Sequence, residues 1–209
     1  MVAGRFDDDA LSGWSWITEA GLAGGGSFTF ALGASPERVM RAFGMNPANA
    51  FLASSSWEAR SLPYPDETTY PPEHPWIRVG STGAWGFALD ESSGGFGGYE
   101  EEAADDLSAG TEAILLTHTA SIDGFHYYSD GVEVTGFEPL RAWDRWGTVP
   151  DRLLAPMQEA GLRVAAPSPG SYPPFRNPVI AVLEMLTLAF GIRLPREVAL
   201  GPLLTVQRD

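Results

Sequence analysis

Large and small residues alternate in two segments of the chain. In Ser27 to Leu32, Phe28, Phe30 and Leu32 fall on one side. In Trp85 to Glu91, Trp85, Phe87 and Leu89 alternate with Gly86 and Ala88. A period of two predicts strands with one buried face. Trp76 to Val79 precedes the second segment across Gly80-Ser81-Thr82-Gly83, which predicts a hairpin. Ala113 to Thr119 forms a further apolar strand pattern. Phe125 to Ser129 and Val132 to Glu138 flank Asp130-Gly131, a dipeptide suited to a type I′ turn. That turn sets Tyr128 opposite Glu133 and His126 opposite Thr135. Phe125, Tyr127, Val132 and Val134 then share the core-facing side.

Helical spacing appears towards both ends. Asp7 to Ala20 carries acids at its start, where the helix dipole favours them. Ser35 to Gly44 has a capping serine, a proline at the first helical position and a glycine at its exit. Glu100 to Leu107 predicts a short acidic helix, and Asp151 to Ala160 another before Gly161. In Pro178 to Phe190 only Ala181, Glu184 and Thr187, continued by Gly191, form a small or polar stripe, so this helix is nearly buried. Pro195 to Leu204 predicts a last short helix. Residues 63–75 and 167–178 hold five prolines each and predict surface loops. Strands in the middle and helices at the ends indicate an α+β fold. We expect a mostly antiparallel sheet of five to seven strands with helices packed on one face. A single domain spans 1–209, with a C-terminal helical segment at 178–209.

Composition narrows the chemistry. Of 209 residues, 44% are hydrophobic, enough for a sizeable core. Thirteen basic residues stand against 27 acids, a net charge of −14. Such a chain repels nucleic-acid backbones and anionic membranes, so neither is an expected partner. The bases are all arginine; without lysine, Schiff-base catalysis and a Walker A loop are excluded. There is no cysteine, hence no thiol nucleophile, thiolate metal site or disulfide. The start of the chain lacks the apolar core of a signal peptide, and Val179 to Ile192 is too short to span a bilayer, which points to the cytoplasm.

Several short motifs occur in order: Trp85-Gly86-Phe87-Ala88-Leu89-Asp90-Glu91, Leu107-Ser108-Ala109-Gly110-Thr111, Asp130-Gly131-Val132 and Phe137-Glu138-Pro139-Leu140. They close with Arg145-Trp146-Gly147 and Pro150-Asp151-Arg152-Leu153. This set resembles a family of uncharacterised actinobacterial proteins classed as a domain of unknown function. The resemblance covers most of the chain and implies one compact domain. It carries no catalytic residue with it.

Residue by residue, the candidate chemistry is sparse. Gly-x-Ser-x-Gly, His-Glu-x-x-His and EF-hand patterns do not occur. The histidines are His74, His118 and His126. Whether His118 and His126 share a sheet face depends on the length of the intervening loop, and no metal or other cofactor is expected. His126, Tyr128 and Glu133 form the one weak catalytic candidate, either an acid/base site or the polar outer face of a sheet.

The charge distribution is more unusual. From Val79 through Leu140 there is no lysine or arginine. Asp90, Glu91, Glu100, Glu101, Glu102, Asp105 and Asp106 concentrate acid in this stretch. They form either a solvated face, a cation site or a surface that steers a basic protein partner. Around Arg141, Arg145 and Arg152, tryptophans and aspartates suggest a structural corner or an anion pocket. The leading expectation is a non-catalytic binding protein with an acidic protein–protein surface, of immunity or antitoxin type. The alternatives are an enzyme or small-ligand binder using the polar sheet site, and a component of an actinobacterial regulatory or defence system. Oligomeric state is not legible.

Overall fold

The computed structural model describes residues 13–19, 25–60, 76–90, 100–118, 123–168 and 177–207. One antiparallel sheet of eight strands organises them, in the order β2-β8-β3-β4-β1-β5-β6-β7. The strands are β1 (Gly26–Leu32), β2 (Phe51–Ala53), β3 (Trp76–Thr82), β4 (Trp85–Asp90), β5 (Glu112–His118), β6 (Asp123–Ser129), β7 (Val132–Phe137) and β8 (Leu203–Gln207). The helices are α1 (Trp16–Glu19), α2 (Pro36–Ala42), α3 (Ser56–Arg60), α4 (Glu100–Ser108), α5 (Leu154–Glu159), α6 (Pro178–Phe190) and α7 (Arg196–Leu200). The fold is α+β. Its strands outnumber the expected five to seven, because β2 and β8 carry little alternation of their own.

Helices cover both faces of the sheet, where one face was expected. Phe28, Phe30, Trp85, Phe87, Leu89, Ile114, Phe125 and Phe137 pack against α1, α5, α6 and the segment up to Ala199. The opposite side of the same strands presents Ala31, Ala88, Ala113, Ile77 and Val79 to Val39, Met40, Ala103 and Leu107 of α2 and α4. Small residues on this second side bring the chain close instead of facing water. A Cβ at Gly86 would overlap the Ala34 carbonyl that precedes α2. Alternation of large and small thus marks two cores of different depth.

The expected C-terminal helix is in part a strand. α7 ends at Leu200, and Leu203–Gln207 inserts between β2 and β3, pairing with Ala53 on one side and with Trp76 to Val79 on the other. Across this junction lies Arg78, fully buried. Its guanidinium donates to the carbonyls of Ala199 (2.7 Å) and Gly201 (2.5 Å) at the end of α7. A cation there meets the negative end of the helix dipole and occupies carbonyls that the helix leaves unsatisfied.

The first helix is described only from Trp16, where Trp14, Trp16 and Ile17 are buried; the expected start at Asp7 lies outside the described residues. So do the first proline-rich loop, with His74, and residues 169–176 of the second. Among the described residues no helix is long and apolar enough to cross a membrane.

Candidate functional site

α4 forms where acids favour a helix start and where Ala103, Ala104 and Leu107 recur on one side. Those three residues are fully buried. Glu102, Asp105 and Asp106 are exposed. The helix end is tied down twice. Arg38 of α2 donates to the carbonyls of Asp106 (3.1 Å) and Leu107 (3.4 Å). The Ser108 hydroxyl accepts from the Gly131 amide at 3.2 Å, and Asp130 Oδ1 accepts from the Gly110 amide at 2.9 Å. The β6–β7 turn, with Asp130 at φ 51° and Gly131 at φ 73°, therefore anchors α4 as well as its own hairpin. Arg38 is a base that the sequence reading missed. It lies far away in sequence, and no local pattern links it to α4.

The acidic residues do not form one surface. Asp90 is 3% exposed, in β4 opposite Ser27, and leaves the candidate face because its strand is internal to the sheet. Glu91 lies outside the described residues. Glu100 and Glu101 belong to the first turn of α4. Among the described side chains, Glu102, Asp105 and Asp106 make up the outward acidic set.

On the same side of the sheet, β6 and β7 carry the polar candidate. Tyr128 opposes Glu133 as the turn predicts, but a bulge between Tyr127 and Tyr128 places His126 opposite Gly136 and not Thr135. The trio divides. Tyr128 is buried beneath Ala104 of α4, beside Leu115. His126 and Glu133 keep side-chain exposures of 24% and 27%. Glu133 Oε1 accepts from His126 Nδ1 at 2.7 Å and from the Trp146 indole nitrogen at 2.9 Å. An ionised carboxylate can only accept, so Nδ1 donates to it and Nε2 is the ring nitrogen left facing away from Glu133. A Cβ at Gly124 would lie 3.0 Å from that Nε2. This is the geometry by which a carboxylate orients an imidazole for proton transfer.

Trp146 reaches Glu133 because Gly136 leaves space. A side chain there would overlap the indole nitrogen and the Glu133 carboxylate. The segment behind Trp146 also pairs with β7 through Gly136–Trp146, Thr148–Glu133 and Val149–Val134 backbone bonds, which protects the sheet edge. An isolated glycine inside a strand signals a close approach of this kind, and it was the available clue to Trp146.

His118 and His126 lie on opposite faces: His118 shares parity with Leu116, which opposes Phe125, and His126 opposes Leu115. The arginine-tryptophan region is a structural corner. Arg141 pairs with Asp144 at 2.9 Å, and Arg145 with Asp151 at 2.7 Å. Arg145 also donates to the carbonyls of Ala142 and Val164, and Arg163 lies over the Trp143 ring. On the α6 side of β6, Tyr127 donates to Glu112 at 3.0 Å. Burial first, then the Glu112 carboxylate, push its phenol up to about 12, against the opposing pull of Arg152.

No curated protein and no solved structure matches the chain. A family description matches residues 10–197, most of its length. The chain belongs to that family, a family of unknown function (DUF6461).

Proposed function

We propose that the protein is a non-catalytic binding protein whose α4 face docks a basic protein partner. The observation that carries this reading is the division of α4. Its apolar side is locked into the sheet, while Glu102, Asp105 and Asp106 project outward. Its arginine neighbour Arg38 bonds to main-chain carbonyls, so the carboxylate charge remains directed at solvent. A rigid helix presenting like charges steers a cationic surface and fixes its register. Masking a basic toxin or nuclease in the cytoplasm, as immunity and antitoxin proteins do, suits such a surface.

The test uses a fluorescent arginine-rich peptide and anisotropy at low and physiological salt. The triple variant E102K/D105K/D106K should weaken binding by about tenfold or more. The charge-matched triple D144K/E159K/E197K, on exposed positions elsewhere, should weaken it far less. Equal losses in the two variants would reduce the attraction to net charge, and the α4 reading would fall.

A second reading rests on the 2.7 Å His126–Glu133 contact: a small-ligand or proton-transfer site at the β6–β7 edge. Ring nitrogen chemical shifts measured by NMR, with and without Glu133→Ala, test whether the carboxylate fixes the proton on Nδ1. An unchanged tautomer in the variant would remove this reading.

A further inference from the structure

Trp146 is fixed in position yet left in the open. Its main chain pairs with Gly136 in both directions, and its indole nitrogen donates to Glu133 Oε1 at 2.9 Å. His126 lies against the ring, 5.8 Å between centroids and 60° between planes. Even so, the residue stays 41% exposed. β7 admits this arrangement by carrying glycine at 136, where a side chain would overlap the indole nitrogen and the Glu133 carboxylate. A glycine inside a strand weakens it, and an exposed indole returns little through burial. Stability of the fold does not account for the placement.

The carboxylate beside the ring is half used. An ionised carboxylate accepts through both of its oxygens. Oε1 takes two donors, His126 Nδ1 at 2.7 Å and Trp146 Nε1. Among the described residues no donor reaches Oε2, and the Glu133 side chain is 27% exposed, so an outside group can approach it. β6 and β7 contain no arginine. The two arginines just before Trp146 are engaged elsewhere, Arg141 with Asp144 and Arg145 with Asp151.

We propose that Glu133 and Trp146 receive an arginine side chain of the basic protein partner, its guanidinium donating to Oε2 and lying over the indole. This rests on the reading of the protein as a binder of such a partner. It adds to α4 a second contact on the same side of the sheet, one that selects the shape of the cation as well as its charge. A planar guanidinium can stack on an indole while its N–H groups meet a carboxylate in the ring plane's neighbourhood. A lysine ammonium has the charge without the plane.

The test is NMR titration of the whole protein with N-acetyl-argininamide and, separately, with N-acetyl-lysinamide, at about pH 8, above the range in which imidazoles ordinarily titrate. The indole N–H signal of Trp146, assigned by its loss in Trp146→Leu, should move saturably with the arginine compound. The lysine compound should bind at least about threefold more weakly. Glu133→Gln keeps an oxygen for His126 and Trp146 but removes the charge, and should weaken the arginine compound about fivefold or more. Trp146→Leu, read from the Gly136 amide, should lose the preference for arginine over lysine. Absence of a saturable shift would overturn the proposal, as would equal affinity for the two compounds, undiminished affinity in Glu133→Gln, or a preference kept in Trp146→Leu. Argininamide held at Trp146 although the α4 variant fails its own test would support this contact by itself. Loss of argininamide binding while α4 still steers the peptide would remove this contact alone.

Discussion

A methyl group added at Gly136 would occupy the position of the Trp146 indole nitrogen and the Glu133 carboxylate that hold His126. Gly136→Ala should therefore expel Trp146 and cost about 1–3 kcal/mol, as overpacking does. A lowered urea midpoint together with altered tryptophan emission would verify this; an unchanged midpoint would show that Trp146 adapts freely. Tyr127 offers a different readout. Its phenol ionises near 12 in the fold, above the ordinary value of 10. The folded state thus retains a proton that the unfolded state loses first. Its contribution to stability is complete below pH 10 and is lost as pH rises through 12. Phenolate absorbance should show a late-titrating component that Tyr127→Phe removes; if the variant keeps it, another tyrosine is responsible. At this scale the Asp130-Gly131 turn and the Tyr128–Glu133 pairing were legible, since a dipeptide decides both. The partner of His126 was not, because one bulged residue shifts everything behind it. Nor was Arg78, whose carbonyl partners come from the far end of the chain.

Elements with strong local signals form where the chain encodes them. Ser35 caps α2 by accepting from the Arg38 amide, with Pro36 at the first helical position. Asn177 does the same for α6, its Oδ1 accepting from the amides of Val179 and Ile180, and Gly191 ends that helix in the left-handed region at φ 68°. Asn177→Ala should cost about 1 kcal/mol, read from denaturant unfolding, because two amides lose their acceptor. A loss of a few tenths or less would mean that water replaces the cap fully. β8 was misread as helix because Leu203–Gln207 is short and follows a helical run. The slot between β2 and β3 decides its conformation, and that slot is a tertiary fact. The same reason hid the second helical layer. Gly86 and Ala88 read as an outward face by size, yet they are small because α2 and the chain before it lie against them.

For the whole molecule, charge is the property most directly inherited from composition. At −14 the chain repels itself when compact, and salt screens that repulsion. Raising NaCl from about 10 mM to about 150 mM shortens the screening length from roughly 30 Å to 8 Å. The thermal midpoint should rise by about 2 °C if the relief is near 1 kcal/mol. A fall on adding salt would show that attractive pairs such as Arg145–Asp151 outweigh the repulsion. The location of the acidic face within this field was only partly legible. Sequence proximity grouped Asp90 with α4, whereas the sheet buries it.

The position of β8 bears on how the chain reaches its fold. Residues 203–207 must return to lie between strands made much earlier, beside Ala53 and beside Val79. Until they arrive, β3 has an open edge and β2 has no neighbour. Pairings this distant in sequence form slowly, and an unpaired edge invites intermolecular strand addition meanwhile. Refolding yield should thus be limited by capture of the last strand. That makes the slot beside β3 the weak point for aggregation during folding, although in the finished protein it is sealed on both sides.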